Sequence, residues 1–238
     1  TVNPDRQIHS LHAYFLRGGS EDYEIDYRVE TDFDGGSISN RRVIAMQQGQ
    51  VIFNLAASFH VEEPGHFHQP PMPEVPSPEE LEDLHAFIAR QPGPRLRKMP
   101  LFLLHPSPME IRSSGIPPFF QQEPVEAHLE VWFRVVASVD QPQWMQRALV
   151  AYASDFAPIT TAMRPHGNFE VQGASLDHSL WFHQDLRADD WLLYAIESPW
   201  AGGGRGLGLG RIFDRAGRLV ASVAQEGMMR DPAMREPR

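Results

Sequence analysis

Apolar and polar residues alternate with a period of two over long stretches of the chain, which is the signature of half-buried strands. Residues 8–16 read as a strand, followed by a turn at Gly18-Gly19. Tyr23, Ile25, Tyr27 and Val29 are separated by polar residues and predict a second strand with one buried face. Residues 42–47 and 51–61 follow as two more strands, joined at Gln48-Gly49-Gln50. This first stretch spells a four-strand antiparallel meander with no helix.

The middle of the chain changes character. Residues 64–78 hold six prolines and read as a linker or an extended surface loop. Ser77-Pro78-Glu79-Glu80 has the form of a capped helix start, with Leu81, Leu84 and Ile88 on one face and a stop before Pro92. Residues 92–126 read as a connection with one short strand near Met109 to Arg112.

Strand periodicity returns at residues 128–136. Asp140 is placed to cap a helix over about 142–156, with Trp144, Leu149, Tyr152 and Phe156 as its apolar side and Asp155 near its C-terminal end. A carboxylate there opposes the helix dipole. Residues 174–183 read as one strand, with Leu176, His178, Leu180 and Phe182 on one face and Ser175, Asp177, Ser179, Trp181 and His183 on the other. Residues 191–197 make the next strand. The stretch 201–210 is glycine-rich but lacks the Gly-Lys-Ser/Thr ending of a phosphate loop, so its glycines are read as letting a strand bend. A turn at Asp214 to Gly217 leads into a last strand where Leu219, Ala221, Val223 and Gln225 share a face.

The two ends of the chain repeat one another. Tyr14-Phe15 corresponds to Trp181-Phe182, Ile25, Tyr27 and Val29-Glu30 to Leu192, Tyr194 and Ile196-Glu197, and Gly35-Gly36 to Gly202-Gly203, all at an offset of 167 residues (Phe15 to Phe182). Only the second copy is preceded by a strand and a helix. A curved sheet without its helix is expected to expose an apolar face. The polar set differs too: Gln225 falls on Ala57 and Ser175 on Ile8, so chemistry is expected in the second copy or at its seam with the first.

Composition narrows the classes. The chain has 238 residues, 42% of them hydrophobic, enough for a sizeable core, and no apolar run long enough to cross a membrane. It has no cysteine, which excludes disulfides, thiolate metal sites and cysteine nucleophiles. The net charge of −10 with a single lysine (Lys98) argues against nucleic acid, leaving a small anionic ligand held by a few arginines. His66 and His68 lie in the proline-rich segment, with no preorganised third ligand, and are read as solvated rather than as a metal pair. No secretory signal is visible, and a cytoplasmic location is expected.

The stretches His9 to Arg17 (His-Ser-Leu-His-Ala-Tyr-Phe-Leu-Arg), Ala151-Tyr-Ala-Ser-Asp155, Arg164-Pro-His-Gly167, Leu176 to His183 and Val223 to Arg230 occur in an order that closely resembles the acyl-CoA thioesterase II family. The resemblance implies an α+β double hotdog, in which antiparallel sheets each wrap around a long helix. On this resemblance residues 1–63 are expected to be a first hotdog without its N-terminal strand and helix, residues 64–126 a connection with a helix near 78–90, and residues 127–238 the second hotdog. It implies hydrolysis of acyl-CoA thioesters to free acid and CoA without a metal or other cofactor, by a protein that does not insert in membranes and that forms homo-oligomers. The family's water-holding Asp, Thr and Gln fall on Asp155, Ser175 and Gln225, with serine in place of threonine; the change keeps the hydroxyl and loosens its rotamer.

For the CoA phosphates, Arg164, Arg205 and Arg211 are candidate contacts. The acyl chain is expected in an apolar groove between the two copies. Two other readings share the fold. One is a non-catalytic acyl-CoA binder or regulator. The other is a hydratase, which needs a converging Asp–His pair; Asp177 and His178, as strand neighbours, point to opposite faces and do not form one.

Overall fold

The computed structural model describes residues 2–91, 107–117, 120–121, 123–167 and 172–230. Eleven strands form one sheet: β1 (Arg6–Phe15), β2 (Asp26–Asp34), β3 (Ile38–Gln47), β4 (Gln50–Val61), β5 (Met109–Ser113), β6 (His128–Val135), β7 (Gln172–Ser175), β8 (Asp177–Phe182), β9 (Leu192–Gly202), β10 (Arg205–Asp214) and β11 (Leu219–Arg230). Among the described residues the α-helices are α1 (Leu84–Ala89), α2 (Gln143–Ser154) and α3 (Pro158–Met163). The architecture is α+β, as expected.

Sheet order is β2-β3-β4-β1-β8-β11-β10-β9-β6-β5, with β7 also paired to β11. The duplication is visible in this order: each copy contributes a three-strand meander with its first strand returned beside the last. The first copy is thus not a plain meander, because β1 pairs with β4 rather than with β2. The copies join where β1 meets β8 antiparallel, with His12 opposite Ser179 and Leu11 opposite Leu180. His12 and Ser179 are also repeat equivalents at the 167-residue offset, so a local two-fold axis runs through this pair; His12 Nδ1 and Ser179 Oγ lie 3.0 Å apart.

The main core lies between α2 and one face of the second-copy strands, with Phe133, Val150, Leu180, Leu192, Tyr194, Ile196, Ile212 and Ala221 buried. Burying one such aliphatic side chain contributes roughly 1.5–3 kcal/mol. The chain forms α2 here because Gln, Met, Arg, Leu and Ala dominate residues 143–154 and Pro158 ends the run. Its start differs from expectation: Pro142 occupies the cap position, Asp140 does not cap, and no side chain bonds the first turn. Its buried face differs in part: Leu149 and Phe156 pack against the core as expected. Gln146, Arg147, Val150, Ala153 and Ser154 point inward, while Trp144 and Tyr152 are exposed.

Buried partners explain that face. Gln146 donates to Val139 O and accepts from Ala188 N–H, and Arg147 donates to Ile8 O in β1 and pairs with Asp185. A hydrogen-bonded polar group costs far less to bury than an unpaired one. Although Arg147 Nε has no partner among the described residues, these bonds let Gln146 and Arg147 face inward, where hydrophobicity alone misassigns the face.

The opposite face of the second half has its own cluster, Trp132, Trp191, Leu193 and Phe213, covered by Met72, Val75 and Leu81. The proline-rich segment is therefore a strap rather than a free loop. Gln69 bonds both Gly217 O and Leu219 N–H, and Trp132 Nε1 donates to Pro76 O. The expected single helix from Ser77 is split into a 3-10 turn, Pro78–Glu80, and α1, which Asp83 caps by accepting from His85 and Ala86 N–H. In the first half α2 reaches β1, no described helix covers β2, and the alternation of β2 predicts its strand but not its burial: Tyr27 is 67% and Val29 53% exposed.

Candidate active site

Asp155, Ser175 and Gln225 meet on the helix side of the second half. Asp155 is the C-cap of α2, Ser175 ends β7, and Gln225 lies in β11. Ser175 Oγ donates to Asp155 Oδ1 at 3.0 Å. Gln225 Nε2 donates to the same Oδ1 at 2.6 Å and to Ser175 Oγ at 2.7 Å. Gln225 is fully buried, whereas Asp155 is exposed at the rim. Asp155 Oδ2 carries no hydrogen bond among the described residues, leaving a carboxylate oxygen free to accept from a water.

Ser175 reaches this face because of a break in the strand. In a continuous strand 174–183, Ser175 and His178 would point to opposite sides. Instead β7 and β8 pair with β11 in registers that differ by one residue: Ser175 is opposite Gly227, Ser179 opposite Ala224. The slip at Leu176 is a β-bulge, which re-aims a side chain. Asp177 stabilises it, its Oδ1 accepting the Glu226 N–H at 2.7 Å, while Leu176 N–H donates to Glu226 O. Ser175, His178 and Gln225 thus share one face, contrary to the simple alternation expected for this stretch.

Behind Gln225 lies His178, 5% exposed. Its Nδ1 is 2.8 Å from Gln225 Oε1 and its Nε2 is 2.8 Å from Ser154 Oγ. Burial pulls its pKa below the usual 6.5, against the pull of Asp155. Tyr194 OH donates to Ser154 O at 3.1 Å, fixing the end of α2. Burial, reinforced by Asp155, holds the Tyr194 hydroxyl protonated well above its ordinary pKa.

The glycines of β10 serve this packing. Gly208 and Gly210 lie opposite Gln225 and Val223, on the face that carries α3 and Tyr194. A Cβ at Gly208 would sit 2.6 Å from Pro158 Cβ and 2.8 Å from Pro158 O, and one at Gly210 would meet the Tyr194 ring. Close approach, rather than bending alone, accounts for them, although the β9–β10 ladder does shift register between Leu207 and Leu209.

A cavity of about 310 Å³ opens at Asp155, lined by Leu84, Met109, Ile111, Phe133, Tyr152 and Phe156 among others. It is mostly apolar and lies between the connecting segment and the end of α2; no residue of the first copy lines it. This cavity thus lies between the connection and the second copy, away from the seam of the two copies where an acyl groove was expected.

The arginines separate. Arg205 and Arg211 alternate with the glycines of β10, so they point to the opposite face of the sheet from Gln225. There Arg205 pairs with Glu226 at 3.1 Å and lies over Trp200, and Arg211 pairs with Glu197. Arg164 follows α3 on the helix side, with Nε donating to Glu126 O and Nη1 buried without a partner among the described residues. No group of three or more metal-binding side chains occurs among the described residues. No helix among them is long and apolar enough to cross a membrane.

A family model for the acyl-CoA thioesterase C-terminal domain matches residues 73–229, and one for the acyl-CoA thioesterase N-terminal domain matches residues 1–60. The chain belongs to the acyl-CoA thioesterase family. Acyl-coenzyme A thioesterase 8 of Mus musculus is 40% identical over 240 residues, covering 97% of this chain and 75% of that protein. Acyl-CoA thioesterase 2 of Haemophilus influenzae is 37% identical over 230 residues, covering 95% and 80%. The crystal structure of the acyl-CoA thioesterase II TesB2 from Mycobacterium marinum superposes with a TM-score of 0.79 at 38% identity, covering 98% of this chain and 84% of that one. A hot dog protein from Alicyclobacillus acidocaldarius shares the fold, with a TM-score of 0.74 at 18% identity. Membership places the chain among thioester hydrolases. The sheet-wrapped α2 is the hotdog helix of this family's second unit.

Proposed function

We propose that the chain hydrolyses acyl-CoA thioesters with a water activated by Asp155 and oriented by Ser175 and Gln225. The observation that carries this reading is the convergence of carboxylate, hydroxyl and amide from three separate elements within 2.6–3.0 Å of one another. Asp155 takes a proton from the water as general base. The water oxygen forms a bond to the acyl carbon, and the C–S bond then breaks. The departing CoA thiolate takes the proton back from Asp155, so the products are the free acid and CoA. Fixing the water's direction removes part of the entropic barrier, and a water-based mechanism needs neither a nucleophilic side chain nor a cofactor.

The acyl chain enters the apolar cavity that opens at Asp155, which has the size and lining of a small-molecule pocket. Arg164, on the helix side of the sheet, contacts a CoA phosphate; the far-face positions of Arg205 and Arg211 argue against their doing so. The exposed apolar face of β2 supports a homo-oligomer in which that face is covered.

The test is release of free thiol from a panel of acyl-CoAs. Asp155→Asn and Gln225→Ala each lower kcat by about 100-fold or more, with the fold unchanged by circular dichroism. Wild-type turnover in both variants overturns the site.

A further inference from the structure

We propose that His178 is a positioning residue which decides which end of the Gln225 carboxamide faces the water site. The inference rests on the hydrolytic reading for its kinetic arm only; the contact itself is geometric.

A carboxamide can be inserted two ways round. Only one of them presents the two Nε2 hydrogens to Asp155 Oδ1 and Ser175 Oγ, at 2.6 and 2.7 Å. Asp155 favours that orientation while it is a carboxylate. Once it has taken a proton from water on Oδ2, its Oδ1 still accepts but only as a neutral carboxyl oxygen, so its hold on the amide weakens. His178 is the partner whose preference does not weaken at that moment. Gln225 Oε1 accepts only, so Nδ1 of His178, 2.8 Å away, must carry the hydrogen. With Gln225 fully buried and His178 5% exposed, no bulk water replaces that donor.

The other ring nitrogen has a partner that lets Nδ1 keep its hydrogen, while Gln225 Oε1, an acceptor only, selects that tautomer. Nε2 lies 2.8 Å from Ser154 Oγ, and that hydroxyl is also 2.9 Å from Ala151 O. With a neutral ring, the hydroxyl donates to Nε2. With a protonated ring, Nε2–H donates to the hydroxyl, which turns its own hydrogen to Ala151 O. Ser154 satisfies both states, and in both the donor to Gln225 stays in place. Ser154 precedes Asp155, so the same turn of α2 holds the base and, through His178, the amide that faces it.

Two measurements on the full chain test this. Nitrogen-15 spectra of histidine-labelled protein at neutral pH are expected to show His178 protonated at Nδ1 and bare at Nε2; the opposite tautomer overturns the proposal, whatever the activity. In acyl-CoA hydrolysis, His178→Leu is expected to lower kcat roughly 100-fold with KM within about threefold. Combined with Gln225→Ala it adds no further loss, since it acts through that residue. His178→Asn, whose amide nitrogen can occupy the place of Nδ1, recovers most of the rate. Losses that multiply in the double variant, or an Asn variant no better than Leu, overturn the positioning role. If His178→Leu does not fold, the Asn variant and the spectra still decide. A wild-type chain that turns over no acyl-CoA defeats the hydrolytic reading, and the tautomer alone then tests the contact.

Discussion

Gly208 lies directly opposite Gln225 in the β10–β11 ladder, and the absent side chain of one makes room for the helix that closes over the other. Pro158 at the start of α3 rests where a Cβ would be, with its own carbonyl 2.8 Å from that point. Because the obstruction is backbone, it cannot swing aside. Gly208→Ala is therefore expected to cost about 1–3 kcal/mol of stability. It also displaces α3 from the amide, lowering kcat more than KM. Unchanged Tm and kcat would mean that α3 is free to shift. Chemical denaturation and steady-state kinetics provide both readings.

The bulge at Leu176 supplies a second prediction. Asp177 uses its carboxylate to satisfy the Glu226 N–H next to Gln225. Asp177→Ala leaves a partly buried donor unpaired, which costs about 1–3 kcal/mol. The larger effect is expected on turnover, because the bulge directs Ser175 to Asp155. Asp177→Asn retains an acceptor and is expected to stay within a few-fold of the parent. If the Ala variant has normal kcat, the bulge does not depend on this bond.

Much of this arrangement was legible in the sequence. The duplication was read from paired motifs such as Tyr14-Phe15 and Trp181-Phe182, although not the return of β1 beside β4, and likeness to a family singled out Asp155, Ser175 and Gln225. Three things were not legible, for distinct reasons. The register slip that turns Ser175 toward His178 depends on what β11 offers, and alternation within one strand contains no record of its partner. The buried face of α2 carries Gln146 and Arg147, whose partners at Val139, Ala188 and Ile8 come from elsewhere in the chain, so a hydrophobic periodicity selects Trp144 and Tyr152 instead. The role of Gly208 depends on Pro158, fifty residues earlier in the chain.

Stability is expected to fall on mild acidification. Burial holds the imidazoles of His9, His178 and His183 below their ordinary value of 6.5. Above pH 6.5 these rings are neutral folded or unfolded and contribute no pH dependence. As pH falls below 6.5 the unfolded chain binds protons that the folded chain does not, so the folded state loses ground until the lower folded values are reached. Below about 4.5 Glu110 adds to the loss: partial burial raises its carboxyl, but Arg134 and Arg112 outweigh that and lower it. Thermal unfolding between pH 8 and 5 checks this. Tm should be level above 7 and decline below 6.5, with a shallower decline in His178→Asn. A Tm that rises between pH 7 and 5.5 contradicts it.

The uncovered face of the first half predicts self-association. Tyr27 and Val29 project from β2, and the pairing of Val29 with Val43 and of Val43 with Leu55 continues their face inward toward β1. Exposed apolar surface of this kind favours contact between copies. Sedimentation is expected to show a species larger than the 27.0 kDa monomer, and Val29→Lys should return it toward the monomer. A monomeric parent at tens of micromolar would refute the expectation.

Chain-length preference should be set by the apolar lining of the cavity that opens at Asp155. Ile111, opposite Phe133 in the β5–β6 ladder, lines that space, as do Leu84 and Met109. Ile111→Trp is expected to fill part of it. Each methylene kept out of an apolar site costs about 0.8 kcal/mol, so excluding two or three costs about 2 kcal/mol, roughly thirtyfold in kcat/KM for long chains. Short acyl-CoAs, which do not reach Ile111, are expected to turn over nearly as before. The ratio of kcat/KM across a chain-length series measures this. A uniform loss at all lengths would mean that the acyl chain lies elsewhere, because a filled pocket discriminates only among substrates long enough to enter it.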